Sequence, residues 1–265
     1  MRCFVLTIAL FASSPALAQA NDFCFHSPGT LIPAPAAGKG RVDREIYIPQ
    51  MSFPLRVGPG LASKVDPEKG GLTAHLNSQI FGIGGSNGPP GSLTDPRNYA
   101  GCFADTYCES KRGWKMDLCP SRIGHQGNDI RAHWKEEDKY EAVAFADGVI
   151  TMITSNTTVV LAADDGTECR YLHMTPASIS GLRIGQRVKK GETILGRVGD
   201  VMGGKRHGTS LHLHFDCSQT IEFDSGQLRT HVPVYTSLVA AYASAWGIPL
   251  SIKDNALQAR SPYER

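Results

Sequence analysis

The chain of 265 residues is long enough for one large domain with extensions, and it can bury a core without depending on disulfides or metal for folding. Its formal net charge is only +2, and acidic and basic residues are interspersed. Because the sequence has no basic run or stripe, we expect no nucleic-acid partner.

Residues 1–20 (MRCFVLTIALFASSPALAQA) have the pattern of a secretory signal peptide. One arginine precedes an apolar stretch that is too short for a stop-transfer helix, and small residues offer cleavage after Ala18 or Ala20. A transient membrane anchor is the alternative. No later segment reaches about 18 continuous apolar residues. We therefore expect export to the periplasm or beyond, without stable membrane insertion after cleavage.

The cysteines that follow the predicted cleavage site indicate disulfide bonds. An even number in an exported protein favours up to three disulfides, with 15 possible pairings for six cysteines. A zinc knot is the alternative, but the spacing lacks a C-x2-C pair. The six residues are Cys24, Cys102, Cys108, Cys119, Cys169 and Cys217.

Proline and glycine dominate the first part of the mature chain. Residues 21–75 form a Pro/Gly-rich extension, which we expect to be irregular and to wrap onto a following domain. The stretch GIGGSNGPPGSLTDPRNYAGC at 82–102 is equally dense in turn-forming residues. With the cysteines around it, this stretch predicts a long loop that is held by disulfides.

From residue 141 the pattern changes to short β-rich runs separated by turn dipeptides such as Asp147-Gly148 and Asp165-Gly166. Strands are predicted near 141–146, 148–154, 157–162 and 167–174, and the run LHLHFDC predicts another. These runs indicate a mainly β, antiparallel domain over 76–225. The region 226–265 contains apolar residues at helical spacing, which predicts one C-terminal helix and a tail.

His212 and His214 lie two positions apart in an apolar run. On a strand their side chains share one face, with Cα atoms about 6.6 Å apart, while Leu211, Leu213 and Phe215 face a core. Both histidines could bind one zinc ion, or one could bind while the other stands beside an open position. Two polar residues on a solvated sheet face are the alternative.

His125 and Asp129 supply a nitrogen and a carboxylate oxygen, both good zinc ligands. Four positions along a regular strand span about 13 Å, which is too far for one ion. A shared metal therefore requires a bend at Gly127, and an ordinary exposed loop is the alternative. His173 is predicted on the same strand face as Cys169 and Tyr171, where a single histidine is more often structural than catalytic.

Taken together, two histidines and one aspartate from separate segments would leave a fourth zinc position for water, as in catalytic zinc sites. Zinc lowers the pKa of its water and polarises a carbonyl. A neutral histidine nearby could accept the proton, and a second donor could stabilise the oxyanion.

Five motifs follow one another in the chain: HQGND at 125–129, AFADGVI at 144–150, YLHM at 171–174, VKKGETILGRVG at 188–199 and LHLHF at 211–215. In this order they resemble the lysostaphin-type zinc metallopeptidases, the LytM-domain peptidoglycan endopeptidases. The similar block covers roughly residues 76 to 217. The resemblance implies a fold of antiparallel sheets, of the barrel-sandwich or duplicated hybrid type, with a cleft across the sheet.

The resemblance also implies the roles of five residues. His125, Asp129 and His214 would bind Zn²⁺, while His212 and His173 would stand beside its water, one as general base and the other as electrostatic stabiliser. The substrates would be short peptide bridges or stems of the bacterial cell wall. Alternatives are a secreted protease of other peptides and a catalytically silent activator of a cell-wall amidase.

The chain departs from the family pattern in front of His125. About 40 residues with three cysteines separate NSQIFG at 77–82 from that histidine, and we expect this insertion to line or narrow the groove. His207 is predicted to be a surface residue, and no family position supports His133 as a ligand. His26, His75 and His231 are assigned only to surface or core packing. A disulfide between Cys169 and Cys217 is predicted from their neighbouring strands.

Overall fold

A computed structural model describes residues 23–32, 38–59, 61, 71–132, 137–155 and 157–265. The predicted signal peptide and His133 therefore lie outside the described residues. The strands are β1 (Gly58–Pro59), β2 (Gly71–Leu72), β3 (Ala74–Leu76), β4 (Trp114–Lys115), β5 (Ile123–Gly124), β6 (Asn128–Ala132), β7 (Glu141–Val143), β8 (Gly148–Ile153), β9 (Val159–Ala163), β10 (Glu168–Leu172), β11 (Arg187–Val188), β12 (Ile194–Arg197), β13 (Leu213–Phe223), β14 (Gly226–Val232), β15 (Ile252–Lys253) and β16 (Ala256–Leu257). Among the described residues, the helices are α1 (Pro176–Ile179), α2 (Tyr235–Ala245) and a 3-10 turn at Pro96–Tyr99.

Eight of these strands form the central sheet, in the order β11-β8-β9-β10-β13-β6-β3, with β14 also paired to β13. All neighbouring strands run antiparallel. The long strand β13 lies between β10 and β6 through its first residues and forms a hairpin with β14 through its last ones. The mainly β, antiparallel fold predicted from the sequence is confirmed.

Alternation along β13 decides what the sheet buries. Leu213, Phe215 and Cys217 are fully buried, and the ring of Tyr171 on β10 packs edge-on against Phe215 at 5.1 Å between centroids. The residues between them point to the opposite face, as period-two geometry requires. The apolar residues of this strand thus fill the core and leave the opposite face to His214, with His212 directly before the strand.

Helix α2 lies where the sequence predicts it, but it is buried over most of its circumference. The ring of Tyr242 packs against Phe23, Phe53 and Phe103, with centroids 4.8–5.4 Å apart. These partners come from the N-terminal extension and the insertion, so the helix is covered on sides that a two-layer domain would leave in solvent. None of the described helices combines the length and apolarity needed to cross a bilayer.

The predicted region boundaries stay predictions, and both fall within the sheet. The boundary at 75/76 lies inside β3, which pairs with β6, and the boundary at 225/226 lies in the turn between β13 and β14. The C-terminal region consequently begins with a strand rather than with the helix. Its residues share one apolar core with the N-terminal extension, as Phe25 and Leu257 illustrate.

Three disulfides join the described cysteines. Cys24–Cys102 ties the extension to the insertion, and Cys108–Cys119 closes a short loop in front of β5. Cys169–Cys217 joins β10 to β13 at residues that are directly opposite in register, as predicted. Disulfides thus cross-link both the loops of the extension and the insertion and two neighbouring strands of the central sheet.

Candidate metal centre

The chain bends at Gly127 between β5 and β6, and this bend brings the side chains of His125 and Asp129 together. A Cβ at Gly127 would lie 2.2 Å from the carbonyl oxygen of Phe215 and 2.5 Å from the Cβ of Asp216. Only glycine therefore allows the bend to pack this closely against β13. The predicted bend is present, and close approach of the neighbouring strand is its physical reason.

Three potential ligand atoms converge at this bend. Nε2 of His125 lies 2.9 Å from Nδ1 of His214 and 3.4 Å from Oδ1 of Asp129. Nδ1 of His214 lies 3.1 Å from the same carboxylate oxygen. His214 and Asp129 are also direct cross-strand partners on β13 and β6. The sheet register and the bend at Gly127 thus bring together the three residues whose ligand role the resemblance implies.

The outer nitrogens of these two imidazoles are anchored. Nδ1–H of His125 donates to the carbonyl oxygen of Thr106 over 2.9 Å, and Nε2–H of His214 donates to Oδ2 of Asp216 over 2.9 Å. Because both acceptors only accept, each anchored nitrogen carries a proton, which makes the inner nitrogen the one that can bind a metal. Such outer contacts orient metal-binding histidines and fix their tautomer.

The outer contact of His214 extends through a buried polar network that the sequence analysis missed. Asp216 is 1% exposed and accepts from Nε of Arg170 at 2.8 Å, while Nδ1 of His231 lies 3.1 Å from its Oδ1. His231 therefore contacts the carboxylate behind the metal centre, and its assignment to packing alone is wrong. The alternation that pairs His212 with His214 also places Asp216 on this face, so the pattern could have indicated it.

His212 and His173 form a second pair beside the first, with ring centroids 4.7 Å apart. Nδ1–H of His212 donates to Ser210 O at 2.8 Å, and Nδ1–H of His173 donates to Val201 O at 2.7 Å. Both rings thus present Nε2 as an acceptor, and Nε2 of His212 lies 3.4 Å from Oδ1 of Asp129.

The predicted face of His173 is wrong. Cys169 and Tyr171 are fully buried in the core, whereas His173 lies on the side of His212. Strand β10 ends at Leu172, and His173 has a φ of 69°, in the left-handed region. This conformation costs a non-glycine residue about 1 kcal/mol or more, and such outliers cluster at functional sites. The turn redirects the imidazole from the core to the metal centre.

Burial and charge set the protonation of the group in the metal-free protein. Burial opposes a charge on His125, but Asp129 and Glu109 outweigh it and raise the pKa of His125 to about 10. Burial likewise opposes ionisation of Asp129, yet His125 and His212 hold its pKa well below the usual range. Burial, helped by His212 and His214, lowers the pKa of His173 to about 3. His173 is therefore neutral at physiological pH.

The donor set fits a zinc ion. Zinc takes imidazole nitrogen and carboxylate oxygen at about 2.0–2.2 Å in a tetrahedron, which separates donor atoms by about 3.3 Å. The three separations here, 2.9, 3.1 and 3.4 Å, bracket that value. In the metal-free protein a proton on His125 Nε2 can occupy the 2.9 Å gap to His214 Nδ1, and a zinc ion would take the place of that proton. The residues present thus offer three ligands.

A cleft of about 670 Å³ opens above these residues. One wall comes from the turn-dense stretch of the insertion, a second from the residues around β4, and a third from the loop after β12. Representative wall residues are Leu93, Trp114 and Met202. The expectation that the insertion lines the groove is confirmed. All five histidine and aspartate side chains singled out from the sequence line this cleft.

The other histidines lie apart from the centre. His207 is an exposed loop residue whose Nδ1 lies 2.6 Å from Oδ2 of Asp200, in agreement with its predicted surface position. His75 contacts the ring of Phe103 edge-on, and burial lowers the pKa of His26. None of these three belongs to the His125–Asp129–His214 group.

Glu109 is a further residue that the sequence analysis missed. It is 2% exposed, and its Oε1 lies 3.9 Å from Nδ1 of His125. Burial raises the pKa of Glu109 to about 8. The insertion therefore supplies two contacts to the first predicted ligand, one from this carboxyl group and one from the carbonyl of Thr106.

Comparisons with known proteins support the resemblance. Residues 123–224 match the family model described as "Peptidase family M23", and this stretch is less than half of the chain. A comparison with curated proteins found no match.

Among solved structures, the chain is similar to a candidate glycyl-glycine endopeptidase LytM of Ruminococcus gnavus, at 24% identity and a TM-score of 0.35. The alignment covers 43% of this chain and 46% of that one. It is also similar to a zinc-containing peptidase of Vibrio cholerae, at 23% identity, a TM-score of 0.30, and 40% and 30% coverage of the two chains. A third similar structure is a mutant catalytic domain of the prophage-encoded M23 protein EnpA of Enterococcus faecalis, at 22% identity and a TM-score of 0.31. That alignment covers 47% of this chain and 85% of the other. The chain thus spans less than half of the first two structures.

Proposed function

We propose, from the match of residues 123–224 to the model of peptidase family M23, that the protein is an exported, zinc-dependent endopeptidase acting on peptides of bacterial peptidoglycan. The observation that carries the proposal is the convergence of His125, Asp129 and His214, with two further imidazoles beside them, on the floor of one open cleft. Export is supported by the signal-peptide pattern and by disulfides, which persist in oxidising compartments.

The three converging side chains would hold the metal. A zinc ion bound there supplies a water of lowered pKa and polarises the carbonyl of the scissile bond. Thr106 and Asp216 keep the two imidazoles turned inward, so that little reorganisation precedes metal binding. Their anchoring preorganises the floor of the cleft for the reaction.

The second histidine pair would move the protons. We assign the role of general base to His212, because its unprotonated Nε2 faces the cleft. Oδ1 of Asp129 lies 3.4 Å from this nitrogen and would stabilise the imidazolium that forms. The same ring can then return the proton to the leaving amine. His173 would stabilise developing negative charge only after its Nε2 gains a proton, because its Nδ1–H is held by the carbonyl oxygen of Val201.

Two other functions compete with this proposal. A silent activator of an amidase has no need of five intact side chains in mutual contact, so the intact centre favours an active enzyme. A secreted protease of ordinary proteins would use the same centre, and only the substrate separates it from a cell-wall hydrolase.

The test combines metal analysis with two substrates. Purified protein should contain one zinc ion per chain and clear a gel of cell-wall sacculi but not a gel of casein. His125→Ala, Asp129→Ala and His214→Ala should lose zinc and activity together. His212→Ala should retain zinc and lose about 10²–10⁴-fold in rate.

Each contrary result addresses a separate part of the proposal. Protein without zinc under saturating conditions would support the silent activator. Hydrolysis of casein but not of sacculi would support the general protease. Loss of zinc from His212→Ala with retention in His214→Ala would reverse the assignment of ligand and base.

A further inference from the structure

We infer that Arg112 and Trp114, on the loop and hairpin that precede His125, form a substrate subsite for a peptide that carries a free carboxylate close to the cleaved bond. The inference rests on the proposed function and adds the chemical class of its substrate. Both residues line the cleft above the metal centre. Both belong to the insertion that separates this chain from the family pattern.

The position of Trp114 follows from the pairing of β4 with β5. Trp114 is the direct cross-strand partner of Gly124, the residue before His125. The Cα atoms of such partners lie about 4.5–5.5 Å apart, so Trp114 lies beside the residue that directly precedes His125, the first predicted ligand. Because Gly124 has no side chain, the ring has no opposing side chain in its own hairpin. It is accordingly 69% exposed.

Gly124 also explains why the hairpin keeps this position. A Cβ there would lie 2.8 Å from the Cα of Cys108, and Cys108 donates its N–H to the carbonyl oxygen of His125 at 3.0 Å. The Cys108–Cys119 disulfide closes the same loop. The indole is thus presented from a fixed hairpin rather than from a freely moving loop.

Arg112 supplies the charge. Apart from the histidines, it is the only cationic residue among the described residues that line the cleft, and Asp129 of the metal centre is the only acidic one. Its backbone N–H donates to Ser110 Oγ at 3.0 Å, which fixes the turn before Trp114. Within the described parts of the chain, its guanidinium is engaged in neither an ion pair nor a hydrogen bond. The planar guanidinium matches a carboxylate in a two-point contact.

The apolar character of the cleft further restricts the class of peptide that it would bind. Leu93, Trp114 and Met202 are exposed by 37%, 69% and 54%, and all three come together at this one cavity from separate segments. Exposed apolar groups that gather in a cleft mark a binding surface. A bridge made only of glycine would leave both this surface and the guanidinium unused. A cross-linked stem peptide with side chains and a free carboxylate would contact both.

The test uses two cross-linked muropeptide dimers that differ in one group. One carries a free carboxylate next to the cleaved bond, and the other carries a carboxamide of the same shape. Wild-type protein should cleave the carboxylate form with a three- to tenfold higher kcat/KM, as expected for one partly exposed charge contact. Arg112→Gln should abolish this preference, and Arg112→Glu should reverse it. Lys111→Gln is the matched control, since its exposed cation lies outside the cleft.

Trp114→Ala should raise KM several-fold for both dimers and leave the preference intact. Zinc content should stay at one per chain in every variant. Equal cleavage of the two dimers by wild type, or a preference that persists in Arg112→Gln, would overturn the inference and leave the proposed function standing. Zinc-loaded protein that cleaves neither the dimers nor sacculi would overturn both.

Discussion

The floor of the cleft and its walls are built by different means. The floor is formed by residues in strands or directly next to them, and its anchored rings each have one nitrogen held by a carbonyl or carboxylate. These residues are His125, Asp129, His173, His212 and His214. The walls, represented by Leu93, Trp114 and Met202, come from loops and a short hairpin, and their side chains are exposed. The contrast teaches that the geometry of the sheet positions the residues of the reaction, while the composition of the loops determines which substrates reach these residues. Changes to the floor should therefore act on metal binding or on the rate of the reaction, and changes to the walls should act on substrate affinity.

The largest effect is expected at Gly127, where the packing beneath the floor requires a residue without a side chain. Gly127→Ala should destabilise the protein by more than about 4 kcal/mol and abolish zinc binding, because the new Cβ would meet the backbone of β13. Thermal unfolding and zinc per chain are the measurements. Gly181→Ala is the matched control, since a Cβ there meets nothing within 4 Å. A Gly127→Ala protein that bound zinc with wild-type stability would refute the close packing.

The next effect concerns the network behind His214. Asp216→Asn keeps the shape of the side chain but removes the charge that orients the imidazole, so zinc affinity should fall about 10–100-fold. Competition with a zinc chelator measures this change. Asp224→Asn, in the exposed turn between β13 and β14, should leave the affinity unchanged. Equal affinities in the two variants would mean that Asp216 has only a structural role.

Zinc affinity should also depend on pH with a defined sign. In the metal-free protein the pKa of His125 is raised to about 10, so zinc must displace its proton at neutral pH. Affinity should therefore rise about tenfold for each pH unit between pH 6 and 8. Chelator competition at several pH values gives the slope. A flat profile would show that His125 is already neutral in the metal-free protein.

The smallest effect is expected at the walls. Met202→Ala should raise KM about two- to fivefold without changing zinc content, because a partly exposed thioether contributes about 0.5–1 kcal/mol to substrate contact. Met152→Ala is the matched control, since Met152 has a similar exposure of 51% but lies outside the cleft. If the two variants had the same KM, or if Met202→Ala lost zinc, floor and walls would not be separable in this way.

Much of the floor could be predicted from the sequence, because period-two alternation is a local property. His212 and His214 had to share a face once Leu213 and Phe215 were assigned to the core, and the bend at Gly127 was required if His125 and Asp129 were to meet. The choice of His214 over His212 as a ligand came only from the family resemblance. The register that makes His214 the partner of Asp129 depends on long-range pairing that no local pattern contains.

The remainder of the site depends on contacts between distant segments. Thr106 and Glu109 approach His125 from an insertion that the sequence indicates only as a loop, so their contacts could not be predicted. His173 was placed on the wrong face because a left-handed conformation at a histidine is rare and has no sequence pattern. The burial of helix α2 was missed for a similar reason, since its partners Phe23 and Phe103 lie far away in the chain.

The bond between Cys169 and Cys217 bears on more than stability. A strand that slips by one position exchanges its two faces, and here such a slip would turn the leucines toward the cleft and the imidazoles into the core. The sulfur bridge ties β10 to β13 three residues beyond His214 and thereby excludes that alternative alignment. The disulfide thus fixes the strand register that places the imidazole face of β13 toward the substrate. A chain kept in a reducing compartment would lack this constraint.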